Sequence, residues 1–514
     1  MQGARTGSLL VRGRIYTGEW HGEGVTDALW AEGGVVRALG AAAERSGADR
    51  VLELEPGQCV VPGFWDSHIH LVRYGLSLDE VVLSDLKSGE AVARRLAHAA
   101  ASGEVPADGP IVGRDWMVGD WQGPLPHRGH LEALGDRPVI LRNHDLHSVW
   151  VNDAALRLAG IGRDTPDPSG GRIERDADGE PTGILRDAAA SLVHDLEPAP
   201  SAQRLEDAIL RAQAALLAMG VTAVCAINDG TDAVRALTRL ALDSRLRLRV
   251  ALYLPVRHLD ALAATGLGTG LGDDRVWLGG VKAFMDGALG SQTAWMREPY
   301  AEVGGTGLAM PFAQELAENV ARIRASGLRL ALHAIGDRAV AEAVRALADG
   351  EPAAAVDRIE HAQLVRADVL ASWPADRLVA SMQPIHLTDD IELAARFWGP
   401  ERARDTFPFA RLRARGVTLL FGSDAPVSDP DPMKGLWAAV ERRRPGGAVH
   451  QPEERLTVAQ ALEAYAAAPA RVEGRAHLGR LTPGSPLAMA VLSADPVSAP
   501  EHLDGLRVLR VDTD

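Results

Sequence analysis

The sequence predicts an α/β chain: a (β/α)8 TIM-like barrel with an inserted subdomain and a small β-sandwich domain built from both chain ends. Three observations carry this. From about residue 203 onward, apolar strand-like runs alternate with alanine-rich helical stretches, the order of repeated βα units. Residues 76 to about 202 are far longer than an ordinary βα connection and contain strand, turn and helix signals of their own. Both ends of the chain consist of short β segments separated by glycine-rich turns.

The N-terminal segments "SLLVRGRIYTG", "GGVVRALG" and "VLELEPGQCVVPG" show no convincing helix between the first two. With the tail, "GRLTPGSPLAMAVLSADPVSAPEHLDGLRVLRVDTD", they predict a composite β domain over 1–60 and 476–514, leaving 61–475 for the barrel. Its eight strands are read as "CVVPGFWDSHIH" (59–70), "GVTAVCAIND" (220–229), "LRLRVALYLP" (246–255), "VWLGGVKAFMDGA" (276–288), "LRLALHAIGD" (328–337), "DRIEHAQL" (357–364), "RLVASMQPIH" (377–386) and "GVTLLFGSDAPV" (416–427). Helical segments such as "LEDAILRAQAALLAMG" end at a glycine suited to a helix C-terminus. The run "TGLGTGLGDD" precedes a strand instead of following one, so it reads as a turn and not as a phosphate loop.

A chain of 514 residues with 46% apolar and 24% charged content has the composition of a globular protein, long enough for a large domain with additions. Its formal charge of -15 disfavours nucleic acid or an anionic membrane as partner. A small molecule fits better. No signal-peptide-like or membrane-spanning run occurs, so a cytoplasmic location is expected. Cys59 and Cys225 are too few for a disulfide framework or a thiolate-rich metal site. A metal, if present, must be held by nitrogen and oxygen.

The stretch "FWDSHIHLVR" places His68 and His70 on the same side of a strand, because residues i and i+2 of a strand face one way. Reactive groups of such a barrel gather at the C-terminal ends of its strands. There the sequence sets His68 and His70 on strand one, Lys282 on strand four, His333 on five, His361 on six and Asp424 on eight. Each alone has a structural explanation, but six on one rim point to a divalent cation of borderline softness, zinc first. A protonated lysine has no lone pair for a metal, so Lys282 is either a charge partner elsewhere or chemically changed. Reaction of its neutral amine with carbon dioxide would give an anionic carbamate able to bridge two ions.

The ordered set "PGFWDSHIH", "VKAFMDGALGSQTA", "ALHAIGDRA", "RIEHAQL" and "GSDAPV" resembles the metal-dependent amidohydrolase superfamily, in the branch containing the N-substituted formamide deformylases. The resemblance covers nearly the whole chain. It implies two divalent ions, one on His68, His70 and Asp424, the other on His333 and His361, with carboxylated Lys282 bridging. It also implies hydrolysis of a carbon–nitrogen bond, an N-formyl or N-acyl amide, by hydroxide held between the ions, with Asp424 as proton shuttle. "RNHDLHSVWVN" resembles the branch's Arg-x-x-Asp-x-His-x-x-Trp-Val-Asn stretch and would aim His147 and Trp150 at the substrate; "SMQPIHLTDD" would offer Gln383, His386 and Asp390. Gln292 departs from the pattern, standing where arginine often follows the glycine–serine pair, which puts a carboxylate-binding role there in doubt. Asp66 reads as an orienting residue or a loop cap. The expected partner is a small-molecule amide, with no nucleic acid or membrane and a homodimer as assembly. Two alternatives carry different expectations: a mononuclear deaminase, which generally lacks the lysine of strand four, and a non-catalytic scaffold, against which the retention of all six rim residues argues.

Overall fold

The computed structural model describes residues 7–20, 24–105, 109–117, 121, 123–143, 148–168, 171–197, 199–302, 304–349 and 355–513. The chain divides into two compact units, Gly75–Ala208 and the remainder.

Eight parallel strands form the larger unit's barrel: β1 (Phe64–Ile69), β2 (Val221–Ile227), β3 (Arg249–Pro255), β4 (Val276–Phe284), β5 (Leu330–Ala334), β6 (Asp357–His361), β7 (Leu378–Met382) and β8 (Leu419–Phe421). Each pairs with the next in chain order. Every residue of β2, β3, β6 and β7 is buried, and β2, β3 and β7 accordingly read as mostly apolar runs without alternation, whereas β6 buries charged side chains. Trp65, Cys225, Tyr253 and Trp277 pack together in the core, the two indoles 6.0 Å apart.

The ring is nearly closed. Between β8 and β1 a regular ladder gives way to discrete cross-links: Asp424 N–H donates to the His68 carbonyl at 2.6 Å and His70 N–H to that of Ala425 at 3.0 Å. The Asp66 carboxylate joins them, accepting from the backbone of Ser423 (3.0 Å) and of His68 (3.1 Å) and from the Ser423 hydroxyl. Such a seam requires close approach, and a Cβ on Gly422 would stand 2.4 Å from His68 N.

The first barrel strand begins later than the sequence suggested. Cys59–Pro62 pairs with Ala488–Leu492 instead, and the barrel starts beyond Gly63, where a Cβ would collide with Thr222 at 2.3 Å. Where a sandwich was expected, the described end segments pair into one seven-stranded sheet, in the order 508–513, 488–492, 59–62, 8–16, 25–32, 35–39. The reason is a register shift in Ser8–Tyr16 between Arg12 and Ile15. It lets one edge take Arg50–Glu53 along its first half and Cys59–Pro62 along its second.

The unit Gly75–Ala208 holds a six-stranded sheet ordered 171–175, 181–187, 148–151, 139–143, 111–116, 81–82, with the helix Gly89–Ser102. Ser88 caps that helix by accepting from Ala91 N. Among the described residues, no helix is long and apolar enough to cross a membrane.

Candidate metal centre

The barrel brings the ends of β1, β4, β5, β6 and β8 to one place. Asp424 Oδ1 lies 3.2 Å from His70 Nε2 and 3.4 Å from His68 Nε2. The rings of His68 and His361 are 5.0 Å apart, those of His333 and His361 4.5 Å. Two groups of potential ligand atoms result, His68–His70–Asp424 and His361–His386–Asp424, each within 4.8 Å of one another. His361 and Asp424 adopt left-handed backbone, φ 71° and 62°, uncommon for residues with a Cβ. Strain of this kind is held in place by surrounding structure and is concentrated at functional sites.

Each imidazole has one nitrogen tied to a protein oxygen. His68 Nδ1 meets Glu360 Oε2 at 2.6 Å, His70 Nδ1 the Ile227 carbonyl at 2.9 Å, His333 Nε2 the Gly287 carbonyl at 3.0 Å and His361 Nδ1 the Gln383 amide oxygen at 2.8 Å. An oxygen of this type accepts, so the bonded nitrogen carries the proton and the other presents its lone pair. Histidine ligands are prepared for a cation in this way. Burial drives His68 down to about 4 and His333 to about 3, and holds His361 well below the ordinary range, so all three are neutral. Burial also opposes charge on His70, but Asp424 beside it raises its pKa. Asp424, despite burial, is kept ionised by these histidines.

Lys282 is 1% exposed, its ammonium sits 4.9 Å over the Phe284 ring, and Nζ has no hydrogen-bond partner. Burial lowers its pKa to about 8. The chain's other lysines are Lys87 and Lys434; its basic residues are otherwise arginine. An arginine could not release its proton here, whereas a lysine can become a neutral amine. Neutral imidazoles at His68, His333 and His361, His70 beside the ionised Asp424, and an unpaired buried lysine make a site that fits divalent cations.

The residues expected to touch substrate are distributed differently. His147 lies outside the described residues. Trp150 is fully buried in the core of the Gly75–Ala208 unit, against Trp116 at 5.9 Å, Trp121 at 6.1 Å and His130 at 6.0 Å. Its faces are taken up by packing, which leaves it no surface for a ligand. Gln383 is 1% exposed and its oxygen orients His361. Asp390 accepts from Gln363 Nε2 at 2.7 Å and burial raises its pKa to about 6. His386 does face the centre: Nε2 stands 4.0 Å from Asp424 Oδ2 without a hydrogen-bond partner. Asp66 links β1 to β8.

Sequence reading passed over Glu360, next to His361 and wholly buried. A signal was present, since Arg358 and Glu360 are opposite charges at i and i+2 of "DRIEH", a strand set between mostly apolar ones. Such a pair shares one face, and a buried charge needs a partner.

A parallel α/β barrel with imidazoles, a carboxylate and a buried lysine at its C-terminal rim defines a metal-dependent hydrolase. The chain belongs to the Amidohydrolase family, whose model matches residues 56–511. It is similar to the putative amidohydrolase YtcJ of Bacillus subtilis, 30% identical over 94% of both chains. The N-substituted formamide deformylase of Arthrobacter pascens is 28% identical, over 95% of this chain and 94% of that one. Among solved structures, an uncharacterized metal-dependent hydrolase from Pyrococcus horikoshii superposes with a TM-score of 0.80 at 30% identity, over 96% of this chain and 99% of that one. The chain is therefore an amidohydrolase, an enzyme acting on carbon–nitrogen bonds other than peptide bonds.

Proposed function

We propose that the enzyme is binuclear and hydrolyses an N-formyl or N-acyl amide of a small molecule. His68, His70 and Asp424 would hold one divalent ion, His333 and His361 the other, with carboxylated Lys282 between them; zinc suits the donors best. The observation that carries this is the unpartnered amine of Lys282 among neutral imidazoles. With a pKa of about 8, roughly a tenth of it is neutral at pH 7, which is the form that captures carbon dioxide. The resulting carbamate would give the histidines' cations the anion their neutral rings lack.

When bound, the pair of ions acidifies water and polarises the substrate carbonyl. The protein's own groups do the rest. The fixed tautomers of the four histidines keep their lone pairs inward without reorganisation. Asp424, ionised and held between His68 and His70, would take the water's proton and deliver it to the departing nitrogen, which must leave as an amine. The unpartnered His386 Nε2 beside Asp424 is available to the substrate's amide. The formamide deformylase among the relatives supports a formyl or small acyl group on the carbonyl side. Free, buried Cys59 and Cys225 suit a cytoplasmic enzyme, with a homodimer as its assembly.

Metal analysis combined with amine release from a panel of N-formyl and N-acyl anilides and alkylamines tests this reading. Close to two ions per chain and turnover of at least one amide series are expected. One ion per chain at full activity would overturn the binuclear assignment, and deamination without amide cleavage would overturn the substrate class.

A further inference from the structure

Beneath the rim, the barrel interior is charged where packed aliphatic layers would ordinarily fill it. Arg358 and Glu360 of β6 are both 0% exposed; Arg329 is 3% and Glu473 5% exposed. Arg358 Nε donates to Glu360 Oε1 at 2.8 Å and Nη2 reaches Oε2 at 3.1 Å. The same guanidinium donates to the Ser67 carbonyl (2.5 Å) and Ser381 Oγ (2.9 Å), lies 3.2 Å from Cys225 Sγ and reaches Glu473 at 3.5 Å. Glu473 also pairs with Arg329 at 2.8 Å and accepts from the Tyr253 hydroxyl at 2.6 Å. The two arginines and two glutamates balance.

Resting on the binuclear reading above, we infer that Glu360 is the positioning residue of the metal centre, holding His68 by its Nδ1–H so that Nε2 faces the cation. The contact geometry separates this role from simple charge balance. Arg358 has enough acceptors in Ser67, Ser381 and Glu473 to be satisfied, yet Glu360 turns Oε2 toward His68 at 2.6 Å, its shortest contact. Buried ion networks are often no more stable than apolar packing of the same volume, so stability alone does not account for this one. A carboxylate on the far nitrogen of a histidine ligand fixes the tautomer and ring and raises its basicity. Arg358 in turn keeps Glu360 from rotating away, and Glu473 offsets the arginines' charge. The left-handed turn at His361 ends the strand's alternation, which allows adjacent residues 360 and 361 to serve one site from different sides.

Zinc binding to the metal-free full-length protein, measured by competition with a chromophoric chelator alongside thermal unfolding, tests the inference. Glu360→Gln should weaken the tighter zinc site about 10–100-fold, the range for losing such a carboxylate. Glu360→Asp keeps the charge near Arg358 but withdraws it from His68 by one methylene. It should weaken zinc in the same direction and covers the case in which the glutamine variant does not fold. Glu473→Gln, which touches no ligand, should lower the unfolding temperature while leaving zinc affinity within roughly threefold. Wild-type affinity in a folded Glu360 variant, an equal loss in Glu473→Gln, or failure of both Glu360 variants to fold would overturn the positioning role. Wild-type protein that binds no zinc would instead overturn the metal reading on which it rests.

Discussion

Replacing Lys282 by methionine should make the metal-free protein more stable and the enzyme inactive. Burial lowers the lysine from 10.5 to about 8. At about 1.36 kcal/mol per unit, holding this ammonium charged in the barrel costs on the order of 3 kcal/mol. Because the folded-state pKa lies below the unfolded one, the unfolded chain binds the proton more tightly. The penalty is complete below pH 8 and fades as pH rises toward 10.5, so wild-type stability should climb through that window relative to the variant. Methionine carries no charge and nearly the same volume, so Lys282→Met should gain about 3 kcal/mol at pH 7 and lose most of that advantage by pH 10.5. Urea unfolding of chelator-treated, carbon dioxide-depleted protein at pH 7, 9 and 10.5 measures the difference. The remaining lysines, Lys87 and Lys434, are shared by both proteins and cancel. Zinc content and turnover, measured on the same preparations, should both collapse in the variant. A variant no more stable than wild type at pH 7, or a gap independent of pH, would refute the claim that this lysine is an unpaired buried charge kept for chemistry.

Three further outcomes are expected. Asp424→Asn should retain most of its metal, since an amide oxygen still coordinates, yet lose turnover by about 10²–10⁴-fold, more for amides of basic amines than for activated anilides; a loss tracking metal content alone would leave Asp424 a ligand and no shuttle. Gly422→Ala should cost about 1–3 kcal/mol and weaken zinc binding, because its new methyl would press on the His68 backbone from 2.4 Å away; unchanged unfolding and zinc affinity would show that the β8–β1 seam is slack. Trp150→Ala should lower the stability of the Gly75–Ala208 unit by about 3–5 kcal/mol, as expected for a fully buried indole. An unfolding transition of that unit indistinguishable from wild type would contradict the core role.

What the sequence determined by itself is whatever depends on near neighbours along the chain. The barrel strands were legible because strands buried on both faces are short apolar runs set between helical periods, and the rim residues because they stand at the ends of those runs. His68 and His70 needed only the two-residue repeat of a strand. Tertiary structure decided the features whose cause lies far away in sequence. Asp66 became the clasp of the barrel only when Ser423, 357 residues later, came back beside it. Glu360 was hidden because strand alternation sets it opposite His361, and the positive φ of His361, which cancels that rule, belongs to the folded rim. Gln383 looked like a substrate contact until β7 stood next to β6 and its amide found His361. Trp150 sits in a motif-like stretch, but the sheet around it closed over both its faces. Periodicity tells which side of an element a residue occupies; which other element arrives on that side is settled by packing the whole chain.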